Sequence, residues 1–137
     1  MDKALNYLAL ARKAGLGELG EEPVGGAARA GKAYVILVAS DASDHTWRRA
    51  KSYAAGTAQQ CIRLPYSKEA MGLAIGRESL AIAAITDCPM ALAMVKALPE
   101  PEKYADAITV LSEKAQKMKK RQSEAKAHKK NVRFGKK

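Results

Sequence analysis

The side chains of this sequence that could act in catalysis or hold a metal are few and widely separated. The histidines are His45 and His128, and the cysteines are Cys61 and Cys88. Asp44 precedes His45, so a triad with a serine can be drawn, but an exposed histidine near a helix start is more often a plain surface residue. No His, Cys, Asp or Glu set has metal-site spacing. We predict a protein that is not an enzyme and needs no cofactor or metal, with both thiols buried or half-buried in a reducing compartment.

The glycine-rich stretch 15–20 is the next candidate for chemistry. Its residues, Gly-Leu-Gly-Glu-Leu-Gly, match the GxGxxG fingerprint of dinucleotide sites. That fingerprint works when a strand precedes it and a helix N-terminus presents amides to the pyrophosphate. Here residues 4–14 have helical spacing instead, and no acidic residue ends a second strand at the required place. We interpret the stretch as a flexible turn.

Positive charge is concentrated near the C-terminus. Residues 1–110 hold 13 Lys and Arg against 12 Asp and Glu, whereas residues 111–137 hold 11 against two, so the second segment carries +9 of the net +10. A near-neutral globular part with a basic arm is typical of proteins that bind phosphate-rich polymers. A tail that only solubilises the protein is the alternative, and we favour nucleic acid. Trp47 could stack on a base, but we favour its partial burial against a neighbouring helix.

Two nearly continuous apolar runs indicate the fold that positions these residues. The runs at 33–39 and 80–86 suit strands buried on both faces, because a half-exposed strand would alternate. They indicate a small α/β sandwich. Between and around them, capping residues and helical spacing predict further elements. These are helices at 3–14, 21–30, from Ser40 or Ser43 to 53–55, 67–75 and 89–98, and a short strand at 60–64.

The segment after residue 98 is predicted to differ from the rest. We predict a compact domain over 1–98 and a basic tail over 99–137, which begins with two closely spaced prolines. Residues 102–111 can add a short element with one apolar face. Residues 114–130 are good helix formers with almost nothing to bury, so we expect a fraying helix that orders on a partner, followed by a disordered end.

No apolar run approaches the roughly 18 residues that a bilayer-spanning helix needs. The first residues, Met-Asp-Lys, lead into an amphipathic pattern without the charged region and cleavage site of a signal peptide. We therefore expect a cytoplasmic protein that does not bind membranes.

Several segments, in unbroken order, resemble a known family. They read LALARKAG at 8–15, GEE at 20–22, RAGKA at 29–33, LVASDAS at 37–43, GLAIGRE at 72–78 and AAITD at 83–87. Over about residues 5–97 the chain resembles the ribosomal protein L-seven-Ae and L-thirty-e family of kink-turn RNA binders, and most closely its short bacterial ribosomal-protein-like members. The resemblance implies an α/β fold, a three-layer α/β/α sandwich with a small mixed sheet, with the basic C-terminal extension outside it.

The resemblance also implies where RNA binds. In the family, the start of the second helix enters the major-groove side of a sharply bent RNA, and a loop before the last strand packs on an extruded nucleotide. RNA-binding members of the family carry an Asn-Glu-x-x-Lys pattern on this helix. When Gly31 is aligned with the glycine of the family, Glu22, Pro23 and Gly26 occupy the positions of the Asn, Glu and Lys. We expect nearby cations to replace part of the lysine contact and the tail to carry more of the electrostatic affinity. The candidate RNA-binding residues are Gly20, Glu21, Glu22, Gly26, Arg29, Lys32, Arg77, Glu78, Ser79, Leu80, Lys119, Lys120, Arg121, Lys129 and Lys130.

The function predicted on this basis is non-catalytic RNA binding by a monomer that acts in translation. Its partner would be kink-turn-like or ribosomal RNA, within a ribonucleoprotein such as the ribosome. The alternative is a protein-interaction module of the same fold, whose tail alone binds RNA without specificity. The RNA-binding domain of a methyltransferase-like enzyme is a third class, but this chain leaves no room for the catalytic half.

Overall fold

Helices and strands alternate along the chain in the computed structural model, which describes residues 2–134, with side chains described as far as residue 121. The last residues of the predicted disordered end, 135–137, lie outside the described residues. The elements are α1 (Lys3–Lys13), β1 (Gly17–Leu19), α2 (Glu21–Arg29), β2 (Val35–Val38), α3 (Asp44–Ala54), β3 (Gln60–Arg63), α4 (Lys68–Ala74), β4 (Ile82–Ile85), α5 (Cys88–Lys96), a 3₁₀ turn (Pro101–Tyr104) and α6 (Ala105–Phe134).

Four of the helices begin at a side-chain cap. The carboxylates of Asp2 and Asp87 and the hydroxyls of Ser43 and Ser67 each accept a hydrogen bond from a backbone N–H in the first turn that follows. Each cap satisfies a donor that the helix itself leaves unpaired, which stabilises a helix by about 1 kcal/mol. Ser43, one of the two predicted possibilities, is therefore the residue at which α3 begins.

The sheet is small and mixed, as predicted. Its strand order is β1-β4-β2-β3. Strand β4 runs antiparallel to both β1 and β2, whereas β3 runs parallel to β2. Every residue of β2 and β4 is buried. The two continuous apolar runs of the sequence are therefore the two central strands, covered on both faces.

Helices cover the sheet in two groups. Helices α2 and α3 pack on each other and on the central strands, while α1 packs on α4, α5 and β1, and α5 also contacts β4. Because the central strands are buried on both faces, the two groups form the outer layers of an α/β/α sandwich. The predicted fold class is confirmed.

The interpretation of residues 15–20 as a flexible turn is wrong. Gly15, with φ +73°, ends α1, and residues 17–19 then form the edge strand β1 beside β4. The N–H of Thr86 donates to the carbonyl of Leu16, which extends this pairing by one residue. Three residues that include a glycine are too few for any periodic signal. Because a helix precedes these glycines, the stretch lacks the strand that a dinucleotide site needs.

The packed part of the molecule continues beyond residue 98. Helix α6 is one continuous helix where two separate segments were predicted, and its first turns pack on α5. Ala107 and Leu111 are 6% and 0% exposed and belong to the core. The thiol of Cys88 donates to the carbonyl of Leu111 at 3.4 Å. The first turns of the basic extension are thus packed into the core.

Candidate nucleic-acid interface

One end of the sheet brings together two of the segments that the sequence predicted to bind RNA. The N–H of Gly20, just before α2, donates to the carbonyl of Ile82 at 3.0 Å, and the N–H of Ala39 donates to the carbonyl of Ala81 at 2.9 Å. Residues 20–26 and the loop 76–81 therefore meet where β2 ends and β4 begins. We call this surface, formed by residues 20–26, 39–43 and 76–81, the α2 edge.

The first turn of α2 is tied to α3 by the side chain of Glu21. Its carboxylate accepts a hydrogen bond from the Thr46 hydroxyl at 2.9 Å and lies 3.5 Å from a guanidinium nitrogen of Arg49. Thr46 is buried, so this contact holds the two helices together. Glu21 and Glu22 also place negative charge at the positive end of the helix. The predicted site residue Glu21 is thus engaged within the protein.

A cavity of about 290 Å³ lies between α2 and α3 at this edge. The close approach of the helices depends on Gly25, since a Cβ there would lie 2.9 Å from the Tyr53 hydroxyl. No motif predicted Arg49 and Tyr53, although their i, i+4 spacing places both on one face of α3. The cavity brings these two residues together with three of the predicted site residues. Its lining residues are Glu21, Glu22, Arg29, Arg49 and Tyr53.

The loop 76–81 is held close to α4 and presents polar side chains. Gly72 permits this contact, because a Cβ there would lie 2.6 Å from the backbone nitrogen of Ser79. Arg77, Glu78 and Ser79 are exposed, as binding residues must be. Leu80 is different: its side chain is only 4% exposed and packs in the core, and its N–H donates to the carbonyl of Lys68. The Leu80 side chain is therefore not available at the surface, unlike those of the other predicted residues of this loop.

A surface beside this loop is acidic. A shallow cavity of about 550 Å³ there is lined by three acidic residues and a single lysine, together with Leu73 and Ser79. The carboxylate of Asp41 accepts a hydrogen bond from the N–H of Lys68 at 2.7 Å, which joins residues 39–43 to the start of α4. Acidic groups repel phosphate, so this surface is unfavourable for contact with RNA. The acidic residues are Asp41, Glu69 and Glu78.

The remaining predicted cations lie away from the α2 edge. Lys32 follows α2, beyond the end of the helix that is opposite to Gly20. Lys119, Lys120 and Arg121 are exposed on α6, and Arg121 lines a cavity beside Gly31. Lys129 and Lys130 also belong to α6, in the part whose side chains lie outside the described residues. The predicted set is therefore not gathered at one surface but divided between the α2 edge and α6.

Trp47 is half-buried against the core, as the favoured interpretation predicted. The ammonium nitrogen of Lys51 lies 5.3 Å from its ring centroid, and the guanidinium carbon of Arg63 lies 5.1 Å from it. Two cations therefore already interact with the ring that a base would stack on.

The other candidate chemistry of the sequence has no support in the geometry. His45 is exposed, and within the described part of the chain no hydrogen bond joins it to a serine. Cys61 and Cys88 are unpaired thiols, and burial raises the pKa of Cys61 to about 11, an effect that nearby Lys51 opposes. Burial also raises the pKa of Cys88. Among residues 2–121 no group of three His, Cys, Asp or Glu is placed to hold a metal ion. No helix in the described chain is both long and apolar enough to cross a membrane.

Comparison with known proteins adds information on the fold. No family model matches this chain, and no curated protein matches it. Among solved structures, a protein of unknown function from Bacillus halodurans is similar, with a TM-score of 0.66 and 23% identity over 71% of this chain and 97% of that one. The Giardia lamblia 15.5kD RNA binding protein is similar with a TM-score of 0.61 and 16% identity, over 75% of this chain and 85% of that one. The chain therefore has a small α/β fold that it shares with an RNA-binding protein.

Proposed function

We propose that this chain is a non-catalytic, cytoplasmic RNA-binding protein that binds kink-turn-like or ribosomal RNA at the α2 edge and associates with ribosomes. The observation that supports this proposal is that two chain segments meet at one edge of the sheet. The Gly20 to Ile82 hydrogen bond brings the start of α2 beside the loop 76–81, in a fold shared with an RNA-binding protein.

The α2 edge offers the kind of surface that reads bent or unstacked RNA. Such RNA is recognised through its shape and through exposed base edges, which requires close approach of the protein backbone. Gly20 and Gly26 present no side chain, and open space surrounds the position where a Cβ would lie at Gly26. Arg77, exposed on the adjacent loop, can donate to phosphate or to a purine edge.

The charge of the α2 edge limits how much affinity it supplies. The cavity between α2 and α3 is lined by two acidic residues and two arginines, and a surface beside the loop is acidic. Nonspecific affinity for RNA comes mainly from the neutralisation of phosphates by Lys and Arg. We therefore assign discrimination between RNAs to the α2 edge and most of the electrostatic attraction to α6.

The test is filter binding of two RNAs of equal length, one with a kink-turn and one a straight duplex, at two salt concentrations. We expect the kink-turn RNA to bind more tightly at both salts. Arg77→Ala should weaken kink-turn binding about tenfold, because one charged contact to RNA is lost. Arg12→Ala removes the same charge from an exposed site on α1 and should leave the preference unchanged.

Two outcomes would overturn this proposal in different ways. Equal affinity for both RNAs, falling steeply with salt, would leave the protein-interaction module with nonspecific α6 binding as the better description. Failure of the full chain both to bind either RNA and to sediment with ribosomes at physiological salt would remove RNA as its partner.

A further inference from the structure

Helix α6 is held beside the segment that follows α2 by further contacts in addition to its buried first turns. The hydroxyl of Tyr34, just before β2, lies 3.9 Å from the sulfur of Met118 and donates to it. The ammonium nitrogen of Lys114 lies 5.3 Å from the centroid of the Tyr34 ring. Leu111, one turn earlier, is fully buried. These contacts fix one face of α6 next to Gly31 and Tyr34.

That face forms a basic cavity, which we call the α6 cradle. Its volume is about 300 Å³, and its lining residues are Gly31, Tyr34, Lys114, Lys117, Met118 and Arg121. The three cations follow i, i+3, i+7 spacing, which places them on one side of the helix. Among the described side chains, no acidic residue lines the cradle and none of the three cations takes part in an ion pair. The local positive charge is therefore not balanced by the part of the protein that lines it.

The cradle and the α2 edge lie at opposite ends of α2. Gly20 precedes this helix and contacts β4, whereas Gly31 follows it. Nine helical residues separate the two ends, which corresponds to about 13 Å. The cradle is therefore a separate surface, with its own set of residues.

We propose that the α6 cradle is a second binding site, which holds phosphate groups of a nucleic acid backbone. Like charges at i, i+3 spacing repel each other, and phosphates would relieve that repulsion. A free nucleotide fits less well, because Lys114 already lies over the Tyr34 ring on which a base would stack. This inference rests on the proposal that RNA is the partner, but on none of the contacts at the α2 edge.

The experiment uses the full chain and an unstructured probe, a 20-nucleotide oligouridylate, so that the shape of the RNA plays no part. Lys117→Gln with Arg121→Gln removes two cradle charges. Lys119→Gln with Lys120→Gln removes two exposed charges of the same helix that do not line the cradle. For single strands, each lost phosphate contact reduces the slope of log affinity against log salt by about 0.7. We expect the two cradle substitutions to reduce this slope by about 1.4, and the two control substitutions at Lys119 and Lys120 to reduce it by less than half of that.

A second measurement locates the bound group. Spectra of ¹³C-methyl methionine report on Met118, which lines the cradle, and on Met71, which is fully buried. The Met118 signal is assigned by its loss in Met118→Leu. We expect oligouridylate to shift the Met118 signal and leave that of Met71 in place. Inorganic phosphate and polyglutamate, titrated separately, should shift it much less at equal anion concentration.

Two outcomes would contradict the inference. Equal slope changes for the two pairs of substitutions would mean diffuse attraction by α6 with no cradle. A Met118 signal that moves equally with phosphate, or with polyglutamate, would point to a free anion or an acidic protein as the occupant. Loss of the kink-turn preference in Arg77→Ala, or its absence from the native chain, concerns the α2 edge alone and does not change the oligouridylate result.

Discussion

Cys61 shows how strongly its position in the sheet controls a single side chain. It lies on the edge strand β3 and is partly covered, and burial raises the pKa of its thiol to about 11, although the positive charge of Lys51 acts in the opposite direction. The reacting form of cysteine is the thiolate, so a raised pKa makes the residue inert near neutral pH.

We predict that Cys61 alkylates about a hundredfold more slowly than an ordinary thiol at pH 8, because its pKa is raised from 9.0 to about 11 and each pKa unit changes the thiolate fraction tenfold. The measurement is the rate of iodoacetamide labelling, resolved by peptide mass spectrometry. Labelling in urea should restore the ordinary rate. Equal rates in the folded and unfolded chain would contradict the assigned burial.

At the scale of elements, the two adjacent glycines of α2 have different surroundings. A Cβ at Gly25 would lie 2.9 Å from the Tyr53 hydroxyl and 3.2 Å from a guanidinium nitrogen of Arg29, whereas nothing lies within 4 Å of a Cβ at Gly26. Both glycines weaken the helix equally by propensity. Only Gly25 is needed for the packing of α2 on α3.

We predict that Gly26→Ala raises the free energy of unfolding by about 1 kcal/mol, the gain in helix propensity. In Gly25→Ala the same gain is offset by the displacement of Tyr53, because overpacking costs about 1–3 kcal/mol. Urea unfolding, followed by the fluorescence of the single tryptophan, measures both. Equal stabilisation by the two substitutions would show that Tyr53 moves aside at no cost.

The elements that the sequence predicted well are those with a long pattern or a cap. The two apolar runs became the central strands, and Ser43 and Ser67 begin helices where their side chains indicated. Strand β1 was not predicted, because three residues are too few to show an alternating pattern. Its pairing with β4 also depends on residues far along the chain. The burial of Leu111 was missed for a related reason, since its covering comes from α5.

The candidate site was predictable only in outline. Residues 20–26 and 76–81 do meet at one edge, as the resemblance implied. The burial of the Leu80 side chain was not predictable, because a loop boundary does not reveal which side chain turns inward. The binding of Glu21 by Thr46 and Arg49 depends on the packing of α3, which no local pattern encodes.

At the scale of the whole molecule, α6 belongs both to the core and to the charged surface. Its first turns bury Ala107 and Leu111, and its later residues carry most of the excess positive charge. A cut at residue 98 therefore removes core packing together with charge. A cut after residue 121 removes six Lys and Arg and one Glu, which lowers the net charge from +10 to +5, and leaves the buried turns in place.

We predict that a chain ending at residue 98 loses about 2–5 kcal/mol of unfolding free energy, because Leu111 no longer fills its place in the core. A chain ending at residue 121 should keep its stability and bind RNA with a weaker dependence on salt. Urea unfolding and filter binding measure the two effects. Equal stability of the chain ending at 98 and the full chain would contradict the anchoring of α6.

The strand order has a consequence for how the chain folds during synthesis. Strand β1 pairs in the sheet with β4 alone, and α1 packs mainly on α5. Both contacts join residues more than sixty positions apart in the sequence, and such distant contacts slow folding. As the chain leaves the ribosome, α1 and β1 must wait until β4 and α5 have also emerged. Until then the apolar run of β2 has only β3 and the α2–α3 pair to cover it, so part of the future core stays exposed until α5 has emerged.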